Sequence, residues 1–276
     1  LDVSREQVER FKRDGFLILP RIWTQEEVLR MKAAIDRVSS GQYNDDRRPP
    51  AVRKQVAPLG TDQSVHWYLN ARILDRDIWA LATEPRVGAV AAHLLETHSV
   101  SIVEDQLLDK PPGGLPVSSH QDYAYWPFST STEMITCWIA LVDMRPELGP
   151  VSMVRSSHRW GQGQKPQDLI EGSTSNWLAA AEASKPRDAE LDVVSVEVEA
   201  GGGVFFHALT FHGSPENSSD STRRACSLHF ASDACRVDMA ATARINHPYF
   251  FANLKNGGAL VNRYMPRTYP TYAESG

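Results

Sequence analysis

From about residue 99 the chain changes texture. SVSIVEDQLL, EMITCWIALVD, GPVSMVRSS, DVVSVEVEA, GGVFFHA and RRACSLHFAS are short stretches rich in β-branched and aromatic residues, parted by Gly, Pro, Asn and Ser. They read as a series of about six to eight strands at irregular spacing. Strands of that length and number bury themselves by closing two sheets on each other, so the expected fold is mainly β: a double-stranded β-helix, or jelly-roll, of cupin-like form.

The first ninety-eight residues read differently. SREQVERFKRDG opens on Ser4 with Gln7 three residues on, the spacing of a capping box. GFLILP is a short apolar run closed by Pro, hence a strand. Thr24 and Glu27 repeat the capping pattern for a second helix, in which Val28, Met31, Ala34 and Ile35 share one face. Residues 39–65 are polar and rich in Pro, Gly and Arg, and are expected to form a long loop serving as a lid. Residues 75–95 read as helical, and 160–190 as an insertion with a helix near SNWLAAAEA. With no internal repeat and no clean linker, one domain over 1–276 is expected. It would comprise a helical N-terminal layer (1–98), a β core (99–235) and a C-terminal extension (236–276) free to pack on the domain, cover a site or bridge subunits.

Composition narrows the function classes. Net charge is −5 and no Lys/Arg run is long enough for a nucleic-acid footprint. No apolar run is long enough to span a membrane, and no signal peptide is apparent. The chain opens on Leu1, not an initiator Met, as expected where a short leader or tag has been left out. Cys137, Cys226 and Cys235 are odd in number and lack Cys-x-x-Cys spacing, which argues for a reducing, cytoplasmic setting over a disulfide or zinc framework.

Two distant segments carry chemistry. One is His120-Gln121-Asp122; the other is His212, with Arg223 eleven residues further on. A His-x-acid alone says little: with 34 Asp and Glu in 276 residues, nine histidines should give about one by chance. On a strand, however, residues i and i+2 face the same way, so His120 and Asp122 would aim at one point. Two imidazoles and a carboxylate can cap one face of an octahedral metal ion and leave the other open. His207 is a rival to His212, but reads more simply as a hydrogen-bonded core histidine. His212 is followed by a turn and then by Arg223 opening the next strand, which would return both to one pocket. Arg223 and Arg224 must face opposite ways. The one that faces inward needs a carboxylate, because an unpaired buried charge is very costly.

LLDKPPGG, SSHQDYAYWPF, TCWIALVD, GPVSMVRSSHRWG and HGSPENSSDSTRRACSLHFAS, with DGFLILPRIWTQEEV near the start, together resemble the phytanoyl-CoA dioxygenase family of Fe(II)/2-oxoglutarate oxygenases. The likeness runs from about residue 6 to 232 and gives poor guidance across 39–65 and 160–190. It implies Fe(II) held by His120, Asp122 and His212, with 2-oxoglutarate and O2 as co-substrates. It further implies Arg223 on the far carboxylate of 2-oxoglutarate, Ser214 as its hydroxyl partner, and Trp138 and Lys110 in the co-substrate pocket. A Lys before Pro-Pro would otherwise read as a solvated loop residue. Relatives that halogenate replace the triad acid with a small residue, so Asp122 favours hydroxylation or a related oxidation. The family often has Gly-Asp before the last ligand strand; this chain has Gly201-Gly202-Gly203, a change expected to affect only the turn.

The substrate side is less defined. Tyr123, Tyr125 and Trp126 follow the ligand Asp, and Trp67, Tyr68 and Asn70 come from the N-terminal layer. Of these, Tyr123, Tyr125, Trp126, Trp67 and Asn70 are the candidate pocket residues for a small organic substrate. Arg47, Arg48, Arg53 and Lys54 on the long loop would suit an anionic one, although charge on a long loop is ordinary. Hydroxylation competes with desaturation, ring formation or epimerisation at the same iron, and with a non-catalytic sensor or scaffold. Oligomeric state is not legible.

Overall fold

The computed structural model describes residues 1–166, 169, 176–242 and 248–270. In chain order the elements are α1 (Arg5–Asp14), β1 (Phe16–Leu19), α2 (Gln25–Ser39), β2 (His66–Leu69), α3 (Arg76–Ala82), α4 (Pro85–Leu94), β3 (Val100–Lys110) and β4 (Val117–His120). There follow β5 (Met134–Ala140), β6 (Ser152–Val154), α5 (Ala179–Ser184), β7 (Val193–Ser195), β8 (Gly203–His207), β9 (His212–Ser214), β10 (Arg223–Ser232), α6 (Met239–Thr242) and β11 (Arg267–Tyr269).

Local sequence explains the helical starts. Ser4 and Thr24 both close reciprocal capping boxes with Gln7 and Glu27, each worth about 1 kcal/mol. α1 stops at Gly15, whose left-handed φ of 84° permits the turn into β1. The helical stretch expected over 75–95 divides in two, because Pro85 cannot continue α3 and instead opens α4.

One sheet runs β1-β8-β5-β10-β3-β11, with β2 also pairing β3; the other runs β4-β9-β6-β7. All pairings are antiparallel. The larger sheet is buried on both faces by strict alternation. Leu17, Cys137, Ile139, Phe205 and Cys226 enter a core shared with α1–α4. Their neighbours Phe16, Trp138, Ala140, Phe206 and Ala225 enter a second core, which reaches Val117 of β4 and Met153 of β6 on the smaller sheet. The order is therefore helices, large sheet, small sheet, and the second core opens at one end into the site.

Several expectations need refinement. DVVSVEVEA yields only the three-residue β7, and β2, β4, β9 and β11 add short strands to the expected set. The helix near SNWLAAAEA begins at Ala179; Ser175 lies outside the described residues. The 39–65 loop is tied down: Arg47 N–H donates to Ile73 O (2.9 Å) and its guanidinium stacks on Trp79 (3.7 Å). Gly201-Gly202-Gly203 does more than reshape a turn. Gly201 takes a φ of 93°, and a Cβ on Gly203 would lie 2.0 Å from Trp138 O on the neighbouring strand.

Candidate active site

β4 and β9 pair so that His120 and His212 sit directly opposite each other, ring centroids 4.2 Å apart. After Gln121 the chain leaves the strand and enters a 3-10 turn, Asp122–Tyr125. The turn carries the carboxylate back over the imidazoles. Asp122 Oδ1 lies 3.6 Å from His120 Nε2 and 3.4 Å from His212 Nε2. One ligand atom from each of the three groups falls within 4.8 Å of the others, and all three residues are buried. Gln121, pointing away, anchors the turn: its Nε2 donates to Gly161 O and Leu209 O and its Oε1 accepts from Gly163 N–H.

Both imidazoles are set the same way. His120 Nδ1 lies 2.9 Å from Ser118 O and His212 Nδ1 lies 3.0 Å from Thr210 O. A carbonyl only accepts, so each Nδ1 carries the proton and each Nε2 lone pair faces Asp122, the arrangement a divalent metal requires. Burial, reinforced by His212, holds His120 below its ordinary value and hence neutral. Asp122 Oδ2 accepts from Thr136 Oγ1 at 2.5 Å.

The other end of the site is cationic. Arg223 opens β10 directly opposite Lys110, the last residue of β3. Lys110 is fully buried and Arg223 is 3% exposed. Lys110 Nζ donates to Ser214 Oγ (2.8 Å) and Pro215 O (2.6 Å). Arg223 Nη1 donates to Gly149 O (2.8 Å), while its Nε is buried without a partner. Burial and the adjacent Arg223 push the Lys110 amine well down, and burial lowers Arg223 to about 10. Among the described residues no carboxylate pairs with either. Arg224 faces the opposite way, on Asp109 and Asp36.

A cavity of about 720 Å³ joins the two ends. Trp138, Ser214 and Arg223 line it with the three ligand candidates; Lys110 reaches it through Ser214. Of the expected substrate residues, Trp67, Asn70, Tyr125 and Trp126 line it as well. Asn70 is held there by Arg72, which donates to its Oδ1 (2.7 Å). Tyr123 does not line the cavity: its hydroxyl donates to Ser129 O (3.0 Å) and its ring packs on the helix-side core. The 3-10 turn explains the difference, because residues i and i+3 eclipse there, so Tyr125 shares a face with Asp122 and Tyr123 turns away. His207 is not part of the cluster; it accepts from Leu209 N–H (3.1 Å) and stacks near His158. The loop arginines are spent locally: Arg47 pairs with Asp45, Arg48 with Asp46, and Arg53 donates to Asp46 O, while Lys54 does not line the cavity. Only the end of that loop, Leu59, reaches the cavity.

Sequence reasoning missed Glu104, Thr136, His229, Phe250 and Phe251. His229 had a signal, since it falls on the same face of β10 as Arg223 by period two. Phe250 and Phe251 come from the C-terminal extension, which lines the cavity and also adds β11 to the sheet.

The phytanoyl-CoA dioxygenase (PhyH) family model matches residues 11–225. The chain is 24% identical over 257 residues to the peroxisomal phytanoyl-CoA dioxygenase of Mus musculus (88% of this chain, 73% of that protein). It is 27% identical over 233 residues to the ectoine dioxygenase of Bordetella bronchiseptica (79% and 71%). The non-heme α-ketoglutarate-dependent carbocyclase SnoK from nogalamycin biosynthesis superposes with a TM-score of 0.73 at 24% identity, covering 96% of each chain. A jelly-roll with two histidines and an aspartate at the open end of its small sheet, in this company, is an Fe(II)/2-oxoglutarate-type oxygenase. The chain belongs to the phytanoyl-CoA dioxygenase family. No described helix is long and apolar enough to cross a membrane.

Proposed function

We propose that this chain, as one domain, hydroxylates an unactivated C–H bond of a small organic metabolite: substrate–H, 2-oxoglutarate and O2 give substrate–OH, succinate and CO2. One observation carries this reading. Two imidazoles, a carboxylate and the buried Arg223 line one cavity, Lys110 stands behind Ser214, and neither cation has a carboxylate partner among the described residues. The triad supplies the donor set of a facial metal site. The cations need an anion, and a dicarboxylic acid chelating the metal at one end would bring its other carboxylate to them.

His120, Asp122 and His212 would hold Fe(II). When bound, the iron couples oxidative decarboxylation of 2-oxoglutarate to oxidation of the substrate. Backbone carbonyls fix both imidazoles, and Thr136 fixes the carboxylate, so the ligand set is organised before the metal arrives. Arg223 would clamp the far carboxylate through its free Nε, with Lys110 and Ser214 beside it and Trp138 as a wall. Trp67, Trp126, Phe250 and Phe251 exclude water and present the substrate at one orientation.

Ring formation, epimerisation or desaturation would use the same groups, since the pose of the substrate selects the outcome; the likeness to a carbocyclase keeps this second reading in play. A sensor or scaffold role accords poorly with a complete triad and clamp. Three free, buried thiols accord with a reducing, cytoplasmic setting.

The test is anaerobic addition of Fe(II) and 2-oxoglutarate, watching for the weak visible charge-transfer band of the chelate, followed by succinate release in air. A folded, iron-loaded protein that gives no band overturns the reading.

A further inference from the structure

β3 and β10 pair in register from Arg223↔Lys110 as far as His229↔Glu104; the next pair is Phe230↔Ile102. Val103 is therefore an extra residue, a β-bulge. Bulges re-aim side chains beside sites, and this one lets the consecutive residues Val103 and Glu104 both line the cavity, which a regular strand forbids. Glu104 faces His229 from the neighbouring strand.

The hydrogen-bond chain fixes what the pair presents. Thr136 has one hydroxyl proton and gives it to Asp122 Oδ2. Its 2.9 Å contact with His229 Nδ1 must then run the other way, with the imidazole donating. A neutral His229, which lines the cavity, consequently keeps an acceptor at Nε2, and that atom is buried without a partner. Glu104 Oε1 lies 4.0 Å away, too far for a direct bond even from a protonated carboxyl. Glu104 accepts from Gln106 Nε2 (2.8 Å), and its second oxygen has no partner among the described residues. Two cavity-lining residues thus bring acceptors side by side with no donor between them among the described residues. Burial raises the carboxyl to about 7, so above that pH it is ionised and acts as an acceptor.

We propose that Glu104 and His229 recognise a hydroxyl or amino group on an otherwise apolar substrate, the donor bridging Glu104 and His229 Nε2. This rests on the iron and 2-oxoglutarate reading and specifies the substrate class for that site: neutral or cationic, with a hydrogen-bond donor, not a carboxylate. Trp126, Phe128, Phe250 and Phe251 supply apolar wall beside the uncharged polar groups of Asn70, Gln106 and Ser227. Of the nearby cations, Arg72 is paired with Asp105, and Lys165, which lines the cavity, is stacked on Tyr125 at 3.9 Å.

The experiment uses four probes on one skeleton: decahydro-2-naphthol, decahydro-2-naphthylamine, the methyl ether of the alcohol and decahydro-2-naphthoic acid. Each is titrated anaerobically into protein loaded with Fe(II) and 2-oxoglutarate, reading the perturbation of the visible band. The band before any probe is added reads the parent hypothesis; its absence in wild type defeats that hypothesis and this one with it. With the band present, the alcohol or amine should bind on the order of tenfold to a hundredfold more tightly than the ether and the acid. Which of the two binds better tells hydroxyl from amine. In Glu104→Gln that preference should fall by about tenfold. The wild-type ranking stands without the variant. Equal or tighter binding of ether or acid, no binding by any probe, or an unchanged ranking in Glu104→Gln overturns the proposal.

Discussion

Lys110 and Arg223 stand opposite each other on adjacent strands, two buried cations at one register position with no carboxylate between them. Proteins seldom bury like charges together, because each raises the cost of the other. The pair should therefore weaken the empty protein and strengthen the loaded one. Lys110→Met should raise the melting temperature of the ligand-free protein and shrink the increment that 2-oxoglutarate adds. Arg223→Ala should weaken 2-oxoglutarate binding by roughly tenfold to a hundredfold. Thermal melts with and without 2-oxoglutarate decide both, and a Lys110→Met protein with an undiminished increment would count against the clamp.

Thr136 joins the Asp122 carboxylate to His229. Thr136→Val keeps the shape and removes the hydroxyl. Iron affinity should drop about tenfold to a hundredfold, the usual effect of losing a group that orients a ligand. Competition against a chromophoric chelator measures it; an unchanged affinity would mean that the hydroxyl does not orient the carboxylate.

Glu104 gives a pH signature in the iron-free protein. Its carboxyl holds a proton to about 7 when folded, against an ordinary value of 4.5, with burial the main cause. Between those values the unfolded chain is the more ionised, so stability falls as pH rises through the interval and stays reduced above it. Glu104→Gln should gain a few degrees in melting temperature at pH 8 and little at pH 5. Equal gains at both would remove the assignment.

Gly203 presses on Trp138 O, so Gly203→Ala forces β8 away from β5. A loss of about 1–3 kcal/mol is expected, and urea unfolding would show it as a lower midpoint at unchanged slope.

What was readable in the sequence follows its local periods. Alternation requires Arg223 and Arg224 to face opposite ways, as they do, and the spacing of His120 and Asp122 marks the cluster although Asp122 lies in a turn and not on the strand. Lys110 was harder to place, since Pro111 suggests a loop although β3 runs right up to it. Tyr123 misled because the period changes from two to three at Asp122, where strand gives way to 3-10 turn. Glu104 was invisible because no residue type announces the bulge at Val103. The N-terminal helices, by contrast, carry their boundaries in Ser4, Gln7, Thr24 and Glu27.

Leu59, Lys165, Phe250 and Phe251 line the cavity from outside the strands, while the proposed triad and clamp sit on or beside β3, β4, β9 and β10. The proposed reactive groups and part of the cavity wall thus reside on separate pieces of chain. Changes in those three segments would reshape the wall without touching the strands that carry the proposed triad and clamp.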